Sequence, residues 1–327
     1  MTTTMNELIN YLEQDLPRIN EFIDAEIQHL DPSVQEVAQH VLGAGGKRLR
    51  PALTLITARC LEISPEIDLL PLACSLEFLH SATLLHDDIL DGSAMRRGRP
   101  AAHITFGTRE TVLAGDVLLA LANNLAAKYG DARITGALAE AIMGTATGEI
   151  REIARARDTS LSGDEYLTII TEKTALLFKC ACLGGALAAK ADPNKIEAAG
   201  EYGLNLGIAF QLVDDALDYA ESPDNTGKPK AGDLREGKMT LPLVMLLESL
   251  PESERREVEH GIAADSLDDE QIRSVLTKIA EGGFAEAARE EARNYAKKAG
   301  AALAVFPENR ERKLLDQILD FVLTRKK

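Results

Sequence analysis

Apolar residues recur at three- and four-residue intervals along almost the whole chain of 327 residues, the spacing that lays one apolar stripe along a helix. The pattern predicts helices over 5–30, 33–42, 47–61, 65–91, 108–129, 131–157, 163–190, 194–220, 238–249, 252–262, 269–280, 284–302 and 308–325. Two of these open on start signals. Ser162-Gly-Asp-Glu165 has the form of a capping box, and Asp192-Pro193 sets a cap before a residue suited to the first helical position. Breaks fall at Gly43–Gly46, Gly92–Pro100 and Glu221–Gly237. The last is the longest polar stretch and reads as a mobile lid near 221–237. No turn dipeptide is flanked by alternating β-branched runs, so strands are not expected. No low-complexity linker divides the chain. The expectation is an all-α fold, one domain over 1–327, with ten or more helices around a central cavity.

Composition narrows the partners. The chain has 36 Lys and Arg against 52 Asp and Glu, a formal charge of −16. That excess argues against general binding to nucleic acid or anionic lipid, both of which need a positive field. It leaves room for local basic clusters. Cys60, Cys74, Cys180 and Cys182 lie in apolar stretches without the spacing of a zinc site, and read as buried thiols. The start, Met1-Thr-Thr-Thr-Met-Asn, shows no basic stretch followed by an apolar run, and no run reaches the roughly 18 apolar residues of a membrane span. A cytoplasmic protein is expected.

The most informative feature occurs twice. Asp87-Asp88-Ile-Leu-Asp91 and Asp214-Asp215-Ala-Leu-Asp218 are both D-D-x-x-D, and each closes a long apolar helix. On a helix Asp87 and Asp91 share a face, as do Asp214 and Asp218. Like charges repel at that spacing, and a helix C-terminus disfavours anions further. One such run could simply face water. Two of them, each embedded in apolar sequence, call for a bound cation. Hard oxygen ligands suit Mg²⁺, which shares carboxylates with substrate phosphates. Cations for a diphosphate are available in Lys47, Arg50, Arg96, Arg97, Lys173, Lys228 and Lys238, several of them in glycine-bearing loops near the clusters. On an ideal wheel His80 lies within about 20° of Asp87, and Phe210 and Gln211 within about 60° of Asp214. His80 fits equally a satisfied core histidine or a member of the site.

Taken in order and spacing, several stretches resemble the trans-polyprenyl diphosphate synthases, over nearly the whole chain. They are Gly45-Gly-Lys-Arg-Leu-Arg-Pro51, Leu76-Glu-Phe-Leu-His-Ser-Ala-Thr-Leu-Leu-His-Asp-Asp-Ile-Leu-Asp91, Met95-Arg-Arg-Gly-Arg-Pro100, Lys173-Thr174, Gly207-Ile-Ala-Phe-Gln-Leu-Val-Asp-Asp-Ala-Leu-Asp218 and Asp233-Leu-Arg-Glu-Gly-Lys-Met-Thr-Leu-Pro242. The resemblance implies an isoprenoid synthase fold and a head-to-tail condensation of isopentenyl diphosphate with an allylic diphosphate. It implies that Lys47, Arg50, His80 and Arg97 bind the isopentenyl diphosphate, and that Arg96, Lys173, Lys228 and Lys238 bind the allylic one. Lys173, Thr174 and Gln211 would act at the reacting carbons. Asp87, Asp88, Asp91, Asp214, Asp215 and Asp218 would share about three Mg²⁺ ions. The loop Glu221–Gly237 and the terminal Arg325-Lys-Lys327 would close over the site. A homodimer is implied, with 108–129 as the expected interface.

Two positions depart from the family pattern. Thr147-Gly148-Glu149 and Glu152 stand where relatives commonly carry a glutamine or a second acid beside the glycine, which leaves the roles of the two glutamates open. Before the first aspartate cluster, where short-chain members place bulky aromatics as a floor, this chain has the small Ala82 and Thr83, with Phe78 a turn deeper. A medium- to long-chain product, hexaprenyl to octaprenyl, is expected, with a farnesyl- or geranylgeranyl-length product as the alternative. A class I terpene cyclase would lack the second cluster and the Gly-Gly-Lys-Arg loop, as would a head-to-head synthase. An HD-type phosphohydrolase would use His40, His86 and Asp87 but leaves Arg96 and Arg97 unexplained. An inactive partner subunit would have lost carboxylates, and none is missing here.

Overall fold

Side-chain caps set where several helices begin. Asp31 accepts from Ser33 N (3.0 Å) ahead of Pro32, Ser162 and Glu165 form the expected capping box, and Asp268 forms a second one with Gln271. Asp192 accepts from Lys195 N at 3.1 Å, so the Asp-Pro start signal also holds. The computed structural model describes residues 3–219 and 231–325.

The elements run α1 Thr3–Gln28, α2 Pro32–Leu42, α3 Leu49–Cys60, α4 Leu70–Leu90, β1 Met95–Arg96, β2 Arg99–Pro100, α5 Ala102–Phe106, α6 Thr108–Ala127, α7 Ala132–Ala154 and α8 Gly163–Ile170. A π-helical turn, Thr171–Ala175, leads into α9 Leu176–Ala188, followed by α10 Pro193–Asp218, α11 Gly232–Glu236, α12 Leu241–Ser249, α13 Glu252–Ala263, α14 Asp269–Glu281 and α15 Phe284–Ala302. A 3₁₀ turn at Leu303–Val305 precedes α16 Arg310–Thr324. The all-α expectation holds.

Three local differences from the sequence reading have physical causes. Residues 65–69 do not join α4, whose first turn holds Pro71, a residue that tolerates only a helix start. The predicted 163–190 helix is interrupted by the π-turn. The Gly92–Pro100 loop contains a small antiparallel ribbon in which Met95 pairs with Pro100 and Arg96 with Arg99. Its turn residues Arg97 (φ 50°) and Gly98 (φ 76°) both have positive φ, as a two-residue hairpin turn of the primed type requires. Arg-Gly is not among the usual turn pairs, which hid it.

The chain divides into two compact units. One comprises Met1–Ile142, Leu177–Gly203 and Leu303–Ile318, the other Met143–Leu176, Leu204–Ala302 and Leu319–Lys327. In the first, α4 is buried almost all round from Leu72 to Leu85 and packs against α6, α3 and α1. A helix apolar on every side belongs in a core. It therefore carries its terminal aspartates on a rigid rod. Cys60, Cys74, Cys180 and Cys182 are all buried free thiols. In the second, the apolar α12 packs against α15, α8, α13 and α14. Among the described residues no helix is long and apolar enough to cross a membrane.

Close contact in the first unit depends on Gly185. Thr54 Oγ1 donates to Ala181 O at 3.0 Å, and a Cβ on Gly185 would stand 2.5 Å from Thr54 O. Gly185→Ala is expected to force α3 and α9 apart and destabilise the protein by about 1–3 kcal/mol, read as a lower urea midpoint.

Candidate active site

In the first unit the C-terminal half of α4 and the loops beside it gather charge. Asp87, Asp88 and Asp91 occupy the last turn and C-cap of α4. Asp88 is turned inward, and its Oδ1 accepts from Arg96 Nε at 2.6 Å. The sequence reading grouped Asp88 with the metal ligands and Arg96 with the diphosphate ligands. The structure pairs the two, because a carboxylate only 4 % exposed needs a cation at hand. Asp87 is half-buried and Asp91 is exposed.

The cations lie in three segments of the same unit. Lys47 is exposed in the α2–α3 loop, and Arg50 is half-buried in the first turn of α3. The Arg50 guanidinium lies 4.8 Å from the Phe178 ring centroid, and its Nε is buried without a hydrogen-bond partner. Arg97 donates through Nη1 to Gly45 O. A Cβ on Gly46 would come within 3.3 Å of Arg97 Nη1, so glycine there lets the guanidinium lie against the loop. Burial and the neighbouring Arg97 bring Arg50 down to about 10, with Glu77 opposing them. Burial, then Arg50, Arg97, Arg96 and Arg48, hold His80 well below the ordinary imidazole value. A neutral histidine among guanidinium groups marks a region short of anions. Thr83 Oγ1 donates to His80 O at 2.8 Å, and Phe78 and Ala82 are buried in the core.

In the second unit Asp214, Asp215 and Asp218 end α10. Asp215 repeats the inward turn of Asp88 with different partners. Tyr166 OH donates to its Oδ2 at 2.5 Å and Gln211 Nε2 to its Oδ1 at 2.7 Å. Thr174 Oγ1 donates in turn to Gln211 Oε1 at 3.0 Å, so Thr174, Gln211 and Asp215 form one chain of hydrogen bonds. Lys173 Nζ meets Glu149 Oε2 at 2.6 Å and Glu152 Oε2 at 2.5 Å. The glutamates left open by the sequence thus brace Lys173. The π-turn holds Lys173 and Thr174 at the point where α7 comes closest, since a Cβ on Gly148 would lie 2.5 Å from Lys173 N. Single π-turns inside helices are frequent where side chains must be re-aimed for function.

Asp214 is exposed, and its Oδ1 meets Arg325 Nη2 at 2.9 Å. Arg325 also donates to Phe210 O at 2.7 Å and lies 3.9 Å over the Phe210 ring. Asp218 Oδ2 accepts from Asp233 N at 3.0 Å. Burial pushes Asp215, Asp218 and Asp233 above the usual carboxylate range, with neighbouring aspartates adding to each. Lys238 Nζ pairs with Glu236 at 2.7 Å and lowers Asp233. Lys228, most of 221–237, and Lys326 and Lys327 lie outside the described residues.

Tyr166 was missed in the sequence, and Asp233 stood there only as the first residue of a stretch, without a role. Tyr166 stands seven residues before Lys173, the same face of a helix, which was a usable signal. Asp233 opens a five-residue helix that has too few residues to show a periodic pattern.

The carboxylates fit Mg²⁺. Their donors are hard oxygens, and in the second unit burial, with neighbouring carboxylates adding to it, raises the proton affinity of Asp215 and Asp218. Among the described residues no group of three or more His, Cys, Asp or Glu side chains encloses a metal by itself. Mg²⁺ commonly binds through one or two carboxylates plus substrate phosphates and does not need such a cage. His40 Nε2 is bonded to Pro100 O (2.8 Å) and His86 Nε2 to Val112 O (3.1 Å), so both imidazoles of the phosphohydrolase pattern are engaged by backbone.

The polyprenyl synthetase family model matches residues 31–279. The chain belongs to the polyprenyl synthetase family. It is 33 % identical over 314 residues to octaprenyl diphosphate synthase of Escherichia coli, covering 94 % of this chain and 95 % of that one. A short chain isoprenyl diphosphate synthase of Methanothermobacter thermautotrophicus is 32 % identical over 327 residues, covering 98 % of this chain and 99 % of the relative. A polyprenyl synthase of Caulobacter crescentus, solved with calcium and isoprenyl diphosphate, superposes with a TM-score of 0.92 at 39 % identity, covering 99 % and 98 % of the two chains.

The hydrogen bond from Tyr166 stabilises the ionised form of Asp215, so its loss moves that carboxyl further up. Tyr166→Phe is expected to raise the Asp215 titration midpoint in the absence of divalent metal, followed by carboxyl ¹³C NMR. A midpoint that stays put or falls would contradict the assignment.

Proposed function

We propose that this chain is a trans-polyprenyl diphosphate synthase that condenses isopentenyl diphosphate head to tail with an allylic diphosphate and makes a medium- to long-chain product. The observation that carries the reading is the repeated D-D-x-x-D at two helix ends, each with its inner aspartate buried and hydrogen-bonded. A merely solvated acidic run would have no reason to fix one carboxylate inside. The family's whole chain is read as one polyprenyl synthetase domain.

Asp87 and Asp91, with Asp214 and Asp218, would hold Mg²⁺, while Asp88 and Asp215 fix the turns that carry them. When bound, Mg²⁺ supplies positive charge that stabilises the departing diphosphate. Lys47, Arg50 and Arg97 bind the isopentenyl diphosphate, and His80, held neutral, contributes a hydrogen bond rather than a charge. Arg96, Lys173, Lys228 and Lys238 are assigned to the allylic diphosphate. Ionisation breaks the allylic C–O bond, and the pair of electrons leaves with the diphosphate. The isopentenyl double bond then attacks the allylic cation, and a proton is lost to the released diphosphate. Thr174 and Gln211, oriented by Asp215, face the cation with oxygen lone pairs, and exclusion of water keeps it from hydrolysis. A second copy of the chain is assigned to the exposed Val112 and Leu113 on α6.

The reaction is tested by incubating the purified chain with Mg²⁺, farnesyl diphosphate and isopentenyl diphosphate and sizing the product by chromatography. Hexaprenyl to octaprenyl diphosphate is expected. Release of phosphate alone, or a cyclised hydrocarbon, would overturn the reaction class. A farnesyl or geranylgeranyl product from shorter primers would overturn only the length.

Length itself is assigned to Thr83, half-buried and small, rather than to Ala82, which the core encloses. Thr83→Phe is expected to shorten the product by one or more isoprene units while the first condensation proceeds. An unchanged product ladder would remove Thr83 from that role.

A further inference from the structure

The α2–α3 loop carries Lys47, Arg50 follows in the first turn of α3, and between them Arg48 is turned into the protein. Its side chain is 5 % exposed, and its backbone takes a left-handed conformation, φ 45° and ψ 42°, at the N-cap of α3. A non-glycine residue is uncommon there and persists where surrounding bonds hold it. Three bonds do so. Arg48 Nη1 donates to Glu77 Oε1 at 2.6 Å, Nη2 to Leu42 O at 2.7 Å and Nε to Asn20 Oδ1 at 3.3 Å. Glu77, 6 % exposed, lies on α4 one turn before His80. The same loop is gripped on another side by Arg97 through Gly45 O.

We infer that the buried Arg48–Glu77 pair is a positioning device, which sets the backbone of the loop so that Lys47 and Arg50 are ready for the diphosphate of isopentenyl diphosphate. The inference rests on the proposed reaction but names residues outside its binding set. A buried ion pair contributes little net stability, because desolvating both charges offsets their attraction, and an apolar pair of similar size serves a fold equally well. What an apolar pair cannot do is direct three bonds from one guanidinium to a helix end, a neighbouring helix and α4 at once. Lys47 and Arg50 are long side chains on either side of Arg48, so their placement depends on the backbone beneath them. Glu77 has a second effect: as the acid facing Arg50 and Arg97, it favours their charged forms.

The test is the double variant Arg48→Met, Glu77→Leu, which removes the pair without leaving a lone buried charge. It is expected to unfold cooperatively near the wild-type midpoint. The KM for isopentenyl diphosphate should rise about tenfold to a hundredfold, as small misplacements of binding groups do, with the allylic KM within about twofold. Unchanged KM values in a folded double variant would overturn the inference, as would an equal loss for both substrates. If the double variant does not fold, Glu77→Gln keeps an acceptor at the same place and removes its charge. A selective rise in the isopentenyl diphosphate KM is then expected, and no rise overturns the inference. Calorimetric binding of inorganic pyrophosphate to wild type and variant separates the two levels of argument. Wild type that binds pyrophosphate but catalyses no condensation sinks the reaction and leaves the loop assignment to be judged on binding alone. Equal pyrophosphate affinity in both proteins counts against the loop assignment.

Discussion

Repulsion between carboxylates is the constraint around which both clusters are built. Two ionised side chains about 6 Å apart on adjacent turns repel by about 3 kcal/mol at an effective dielectric near 20. The helix C-terminus adds to the cost. Each helix turns its middle aspartate inward onto donors. Asp88 has a guanidinium, a full charge, at 2.6 Å. Asp215 has only neutral donors, the Tyr166 hydroxyl and the Gln211 amide. The difference has an electrostatic consequence. Neutral donors favour the ionised form less than a cation does, and burial outweighs them at Asp215, which is pushed up. Asp215 therefore holds its proton more readily than an ordinary carboxyl.

The second unit spends its structural precision on one junction. Gly148 lets α7 approach the π-turn, the π-turn brings Lys173 to Glu149 and Glu152, and Thr174 follows it onto Gln211. Gly144 serves the same approach from one turn away, where a Cβ would collide with Leu176 Cδ1. A residue inserted into a helix shifts every side chain beyond it by a quarter turn or more. The glycines and the π-turn are thus a matched set. A side chain at Gly148 would press on the Lys173 backbone and so move the lysine ammonium and the threonine hydroxyl together, whereas one at Gly144 would meet only the end of the Leu176 side chain.

Much of this was legible in the sequence, and what was not has a common cause. The helices, the capping box at Ser162 and the paired D-D-x-x-D motifs come from periodicity and spacing, which are properties of neighbouring residues. Asp87 and Asp91 could be placed on one face without coordinates. Partners beyond one helix could not be seen that way: Asp88 with Arg96 on the first strand of the ribbon, Tyr166 with Asp215 across 49 positions, Glu77 with Arg48. The π-turn was invisible because it keeps the apolar rhythm of a helix while changing its phase. Ala82 shows the converse. Its small size was read correctly, but only burial distinguishes it from its half-exposed neighbour Thr83.

The net charge and the local charge of the chain have opposite signs, and burial reconciles them. An acidic protein repels a free diphosphate at long range, but salt screens that field over about 8–10 Å. Within the first unit the near field is set by Arg48, Arg50, Arg96 and Arg97, and two of these are already spent on Glu77 and Asp88. Burial first, then Arg50 and Arg97, keep His80 neutral. Adding a proton to that imidazole would raise the local charge but cost more than it returns, because three cations would then share a desolvated space. The folded value of His80 lies below its unfolded one, so this contribution to stability is full above the ordinary imidazole value and is lost as the pH falls. On the proposed assignment, a diphosphate at this cluster would supply the negative charge that the buried guanidinium groups lack, and a neutral His80 would meet it as a hydrogen-bond donor.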